Sequence, residues 1–308
     1  MRYAILFPGQ GSQFVGMGAD VVAARPDLLG DRADAVLGWS LGAVCAEGPE
    51  ERLTATDVAQ PALFAISYAL WEALAAAPVP PPVAAAGHSL GEYTALAAAG
   101  SVTFEDGLRL VAARGAAMGR AAAEHAGGMA ALIGGDVAAA QTVTATRREA
   151  GGSLWVANDN APGQVVVAGS AADVAWLCDE ARSLGFRRAI PLKVAGAFHT
   201  PLMQPAAEEL KAALDGTRFA APAFPVWSNV SARPGGDVAA DLASQLVGPV
   251  RFRESLEGMA AAGVEAFVHV GPGDVTAGMA RRIVPDATVV SVSTLQDIAP
   301  AVETLAIQ

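Results

Sequence analysis

The sequence predicts an α/β protein: a mostly parallel sheet with helices on both faces, interrupted by a compact insert. Three observations carry this. Short apolar strands alternate with helical stretches through short links, which implies crossover connections and parallel pairing. The middle of the chain instead runs β-α-β-β-α-β, the order of a ferredoxin-like unit. Apolar residues make up 53% of 308 residues, enough to bury a sizeable core.

The elements follow in order. Tyr3–Phe7 is a buried apolar strand ending at Pro8-Gly9-Gln10. Residues 61–74 have helical apolar spacing and are closed by Pro78-Val79-Pro80-Pro81-Pro82. Residues 83–87 leave room only for a short strand, and a helix over 90–99 follows. A longer helix spans 104–123. In the insert, 129–133 predicts a strand and 136–150 a helix capped by Asp136. Strands 154–157 and 165–168 are joined by an expected turn over Asn158-Asp159-Asn160-Ala161-Pro162-Gly163. Ser170 caps a helix over 171–184, and 188–194 is the last strand of the insert. The tail predicts helix 205–214, strand 225–229, helix 252–262, strand 266–270 and helix 275–283. The expected division is a large discontinuous subdomain, 1–123 with 197–308, and a small one, 124–196.

Composition narrows the function. A net charge of −11 argues against nucleic acid as the main partner, although Arg147-Arg148, Arg187-Arg188, Arg251 with Arg253, and Arg281-Arg282 form local cationic pairs. Cys45 and Cys178 offer neither a disulfide framework nor metal-ligand spacing. The apolar stretch after Arg2 is too short for a signal peptide, and no run in the sequence approaches the ~20 apolar residues of a membrane span. The expected location is the cytoplasm.

Two segments match G-x-S-x-G: Gly38-Trp39-Ser40-Leu41-Gly42 and Gly87-His88-Ser89-Leu90-Gly91. A nucleophilic serine in an α/β sheet needs a strand before it and a helix after it. Ser89 has both, whereas residues 31–37 before Ser40 are helical in spacing. Ser89 is therefore the expected nucleophile. It needs a base at neutral pH. His88 adjoins it and is expected to point away; His125 reads as surface; His269 sits inside a strand. His199 follows a strand and precedes a helix, where loops over a parallel sheet carry functional groups. The third member stays open at this point, with Asp159 and the acids after His199 as alternatives.

The helix over 104–123 carries an anomaly. Stepping ~100° per residue from Leu108 puts Leu110, Met118 and Val111 near ~200°, ~280° and ~300°, and Arg114 near ~240° among them. Arg109 and Arg120 fall near ~100° and ~120°, on the opposite face. A buried guanidinium demands an anionic partner, either a core carboxylate or a substrate carboxylate held by paired N–H···O bonds.

Together, Phe7-Pro8-Gly9-Gln10-Gly11-Ser12-Gln13, Gly87-His88-Ser89-Leu90-Gly91-Glu92-Tyr93, Arg114, Asn158-Asp159-Asn160-Ala161-Pro162-Gly163-Gln164, Ala197-Phe198-His199-Thr200-Pro201-Leu202-Met203, Gln245-Leu246 and Val270-Gly271-Pro272-Gly273 resemble the malonyl-CoA:acyl carrier protein transacylase family over nearly the whole chain. That family includes fatty-acid-synthesis enzymes and free-standing or embedded polyketide synthase acyltransferases. The resemblance implies a hydrolase-like large subdomain with a ferredoxin-like small one, and a ping-pong transfer of malonyl from malonyl-CoA to a carrier phosphopantetheine through Ser89 and His199. It implies that the Gln245 backbone carbonyl orients His199, that the Gln10 and Leu90 amides form the oxyanion hole, that Arg114 binds the malonyl carboxylate, and that Phe198 enforces malonyl selectivity. It implies no cofactor or metal, malonyl-CoA entering only as substrate, and an acidic carrier docked by arginines. A monomer is the default expectation. General resemblance leans toward a trans-acting polyketide enzyme, while composition separates neither pathway. The alternatives are an acyl-thioester hydrolase and a carrier-to-carrier transferase of another acyl group; a dinucleotide-binding reading fails because Phe14 stands where G-x-G-x-x-G needs its third glycine.

Overall fold

The computed structural model describes residues 1–194 and 196–306; Ala195, Ile307 and Gln308, which fall within the expected subdomain segments, lie outside the described residues. The strands are β1 (Tyr3–Phe7), β2 (Ala84–Gly87), β3 (Gly127–Ile133), β4 (Leu154–Ala161), β5 (Gln164–Ser170), β6 (Arg188–Pro191), β7 (Val226–Trp227), β8 (Ala266–Val270) and β9 (Thr288–Val292). They form two sheets. One is five-stranded and wholly parallel, in the order β7-β2-β1-β8-β9. The other is four-stranded and antiparallel, β4-β5-β3-β6, the strand order of a ferredoxin-like unit. The fold class is the one the sequence predicts.

β1 and β2 are buried along their whole length, which is why both are continuous apolar runs instead of alternating ones. Their register sets Phe7 beside Gly87, so the chain leaves both strands at the same edge. In open parallel sheets, ligands bind at that carboxyl edge. The crossover between them includes helix Thr56–Ala75, which packs on helix Phe104–Glu124. Thr56–Ala75 is long and apolar enough by composition to cross a bilayer, contrary to the expectation that no run approaches that length. Its most apolar window is 78% buried inside the protein, so its hydrophobicity serves the core.

Several boundaries differ from expectation, each for a long-range reason. β4 continues through Ala161, with irregular pairing at Val156/Asn158 and Asp159/Ala161, so only Pro162 and Gly163 turn. The extension finds backbone partners elsewhere: Asp159 N–H donates to the Val250 carbonyl and Val250 N–H to the Ala157 carbonyl, both at 2.9 Å. The helix after Ser170 ends at Glu180, before the expected 184, and the chain continues in turns. β6 stops at Pro191, short of the expected 194, where proline removes a ladder donor. β7 is reduced from the expected 225–229 to two residues, and Asn229 beyond it turns into the site below. Helix Val238–Gln245, β9 and helix Ile298–Ala306 were not anticipated.

Candidate active site

The turn after β2 is shaped by two close approaches. A Cβ on Gly87 would lie 1.7 Å from the Gly91 carbonyl carbon, and one on Gly91 would lie 2.3 Å from the Phe7 carbonyl oxygen. Only glycine fits at either position, and the helix Gly91–Ala98 can therefore start directly against the strand ends. Between them Ser89 has φ 52°, a left-handed backbone that serine rarely adopts. Such strain persists only where surrounding bonds hold it. Here Ser89 N–H donates to Asn229 Oδ1 at 2.8 Å, and Asn229 Nδ2 donates to the Gly87 carbonyl at 2.7 Å. Ser40 is placed differently: it is exposed and its hydroxyl caps helix Leu41–Glu47, accepting from Ala43 N–H at 3.4 Å.

His199 also has a positive φ, 60°, and its Nε2 lies 2.8 Å from Ser89 Oγ. The other ring nitrogen, Nδ1, is 2.7 Å from the Gln245 backbone carbonyl. A carbonyl can only accept, so Nδ1 carries the proton and Nε2 presents its lone pair to the serine hydroxyl. Burial, reinforced by the Arg114 charge, lowers His199 to about 3, which keeps the imidazole neutral at physiological pH. Asp159 does not face the histidine. It pairs instead with Arg253 at 2.8 Å.

Arg114 is 1% exposed. Its Nη1 donates to Gln60 Oε1 at 2.7 Å; its Nη2 donates to Ser89 Oγ and to Gln245 Oε1, both at 2.9 Å. All three acceptors are neutral oxygens, and Arg114 Nε has no hydrogen-bond partner among the described residues. The Tyr93 ring lies 5.5 Å from the guanidinium carbon. Burial pulls this guanidinium below the usual arginine range. A buried cation that hydrogen-bonds no carboxylate among the described residues, one hydrogen bond from a serine hydroxyl, has the chemistry of an anion site.

These groups open into a cavity of about 440 Å³ lined by Gln10, Ser89, Arg114, Phe198 and His199 from one side and by Met129 and Asn160 of the second sheet from the other. The backbone N–H groups of Gln10 and Leu90 donate to no other group among the described residues. Gln10 instead uses its side chain, which donates to Thr56 Oγ1 at 3.2 Å. Phe198 is 6% exposed, and its ring occupies space that a Cβ on Gly196 would fill at 2.6 Å. His88 bonds Asn160 Oδ1 at 2.7 Å through Nε2 and meets Phe252 edge-on. His269 is buried between Thr276 Oγ1 and the Gly271 carbonyl, and His125 is exposed. No group of three or more metal-ligating side chains occurs among the described residues.

Residues 5–296 match the acyl transferase domain family. The chain belongs to that family. This acyl transferase is 42% identical to the malonyl CoA-acyl carrier protein transacylase of Bacillus subtilis, over 99% of this chain and 97% of that one. It is 41% identical to the Escherichia coli K12 protein of the same name, over 98% and 99%. Among solved structures, the Coxiella burnetii malonyl CoA-acyl carrier protein transacylase superposes with a TM-score of 0.94 at 33% identity, covering 99% and 98%. A malonyl-transacylase solved in complex with its type II polyketide acyl-carrier protein gives 0.94 at 37%, covering 99% and 100%.

Sequence reasoning about this acyl transferase missed Gln60, Glu92, Asn229 and the Gln245 side chain. All four are buried and polar in the site. Gln60 had the same signal as Arg114, a polar residue on an otherwise apolar helix face; Asn229 had the signal of a polar residue ending the expected strand 225–229.

Proposed function

We propose that this acyl transferase moves a malonyl group from malonyl-CoA to the phosphopantetheine thiol of an acyl carrier protein, for fatty-acid or polyketide synthesis. The observation that carries the reading is Arg114: a buried guanidinium with neutral partners, bonded to the serine hydroxyl at 2.9 Å. A malonyl thioester places a carboxylate one methylene from the carbonyl to be attacked, so one molecule can satisfy both groups.

In the first half-reaction His199 Nε2 takes the Ser89 proton as Oγ attacks the thioester carbonyl. The oxyanion rests on the Gln10 and Leu90 amides, each donor of this kind contributing about 3 kcal/mol. The imidazolium returns its proton to the departing CoA thiolate, leaving a malonyl-serine ester. In the second half-reaction the carrier thiol gives its proton to His199 and attacks the ester; Ser89 is restored. The Gln245 carbonyl holds the ring in the tautomer this requires and faces the imidazolium that forms. Arg114 holds the carboxylate throughout, and the Phe198 ring crowds a substituent on the malonyl α-carbon.

The chemistry uses no cofactor or metal, only protein groups and malonyl-CoA as substrate. Residues 1–123 with 197–308 act as the large subdomain and 124–196 as the small one, the acyl group lying between them. Arg187, Arg188 and Lys193 are exposed along the edge strand β6 and its continuation into the cavity wall, a basic lip suited to an acidic carrier despite the net charge of −11. The proposed location is the cytoplasm, and the protein acts as a monomer. An acyl-thioester hydrolase or a transferase of uncharged acyl groups would share Ser89 and His199 but would have no use for Arg114. Incubation with malonyl-CoA and holo carrier tests the proposal. The carrier should gain one malonyl mass; release of free malonate with the carrier unchanged would make the protein a hydrolase.

A further inference from the structure

Glu92 is a buried ionisable group beside the nucleophile that the mechanism above leaves unused. Glu92 stands in the first turn of helix Gly91–Ala98, three residues past the nucleophile, and is 3% exposed. Its hydrogen-bond partners are both neutral N–H donors: the Asn229 backbone N–H at 3.0 Å and Gln245 Nε2 at 2.7 Å, converging on the same oxygen, Oε2. Burying a carboxylate against neutral donors is costly, and nothing in the local helix requires it.

What those two donors do next explains its presence. Asn229 is the residue whose side chain holds Ser89 N–H and the Gly87 carbonyl, so it fixes the strained turn that aims the serine. Gln245 touches Ser89, Arg114 and His199. Its side-chain Nε2 also donates to the Ser89 carbonyl at 3.1 Å, its Oε1 accepts from Arg114, and its backbone carbonyl accepts from His199. The Gln245 amide therefore has a polarity: nitrogen toward Glu92 and Ser89, oxygen toward Arg114. A flipped amide would set an N–H₂ against the guanidinium and an oxygen against a carboxylate. Glu92 Oε2, which accepts from the Gln245 nitrogen and the Asn229 N–H together, opposes that flip.

The geometry points to Glu92 as a positioning residue: through Gln245 and Asn229 its carboxylate locks Ser89, His199 and Arg114 into one frame. The inference rests on the proposed function only in assigning Arg114 its ligand. Loss of the acceptor frees the Gln245 amide to rotate, which displaces the guanidinium and unseats the serine turn. A displacement of order 1 Å in such a site costs about 100-fold in rate.

The test compares Glu92→Leu, which removes the acceptor at similar volume, with Glu92→Gln, which keeps one acceptor oxygen. The first readout is the rate at which a fluorophosphonate probe labels Ser89, which needs no acyl donor; the second is the ratio of malonyl to acetyl loading from the two CoA thioesters. Folding is checked by circular dichroism. A folded Glu92→Leu protein should label at least tenfold more slowly and lose malonyl preference, and Glu92→Gln should recover most of both. Unchanged labelling and an unchanged ratio in the folded Leu variant would overturn the assignment. If Glu92→Leu does not fold, Gln245→Met cuts the same link from the other end and keeps the backbone carbonyl that faces His199. It should show the same two losses, and wild-type values there would equally overturn the assignment. A wild-type enzyme that labels with the probe but never loads malonyl would refute the proposed function and leave the Glu92 comparison intact.

Discussion

Replacing Arg114 by Met isolates the most consequential side chain. The guanidinium is 1% exposed and bonds Gln60, Gln245 and Ser89, all neutral. In the malonyl complex it would gain a directly bonded carboxylate. Removing one partner of a buried, hydrogen-bonded charge pair costs about 3–5 kcal/mol, which at about 1.4 kcal/mol per decade is roughly 150- to 5,000-fold in kcat/KM for malonyl-CoA. Acetyl-CoA carries no carboxylate, so its transfer should change by less than about tenfold. The fold should survive: the two glutamine oxygens lose donors at about 1–3 kcal/mol each, but a buried charge that lacked a directly bonded carboxylate is removed as well. The assay is steady-state transfer to holo carrier from each thioester, with a thermal melt as control. Equal losses for malonyl and acetyl would refute the reasoning and make Arg114 a structural residue.

Ser89→Ala should abolish the covalent ester seen by intact mass, while Ser40→Ala should cost only about 1 kcal/mol of stability through a lost helix cap and leave loading unchanged; the reverse pattern would reassign the nucleophile. Phe198→Ala should raise the ratio of methylmalonyl to malonyl transfer by about tenfold or more, the value of one methyl group in a fitted pocket, and an unchanged ratio would remove Phe198 from selectivity. Burial lowers His88, His199 and His269 from 6.5, so below that pH the unfolded chain takes up protons that the folded protein does not, and each histidine lowers stability as pH falls, by up to ~1.4 kcal/mol per pH unit. Glu92, raised from 4.5 to about 7, acts in the opposite sense across that range, because the folded protein keeps its proton where the unfolded chain has lost it. The histidines outnumber it, so the urea midpoint should drop between pH 7 and pH 5.5; a constant or rising midpoint would contradict the buried neutral imidazoles.

The parallel core was legible because buried strands such as Tyr3–Phe7 and Ala266–Val270 are short apolar runs with unambiguous ends, and both have the expected bounds. Arg114 announced itself by standing on an apolar helix face. β9 was not legible: its residues are only partly buried except Val292, and its partner β8 lies across a helix. The strand character of residues 158–161 was hidden too, because Asn-Asp-Asn is turn chemistry locally and becomes strand only through pairing with β5 on one side and Val250 on the other. The same limit applies within the site. Asn229 and Glu92 are 137 residues apart, yet they meet through one hydrogen bond, and no local pattern in either segment encodes that meeting.

The most direct test is intact-protein mass spectrometry of the enzyme after brief exposure to malonyl-CoA, followed by addition of holo carrier. The account predicts one malonyl adduct, mapped by peptide sequencing to Ser89, that disappears as the carrier gains the same mass. No adduct at Ser89, with malonate released at the same rate whether or not carrier is present, would contradict it.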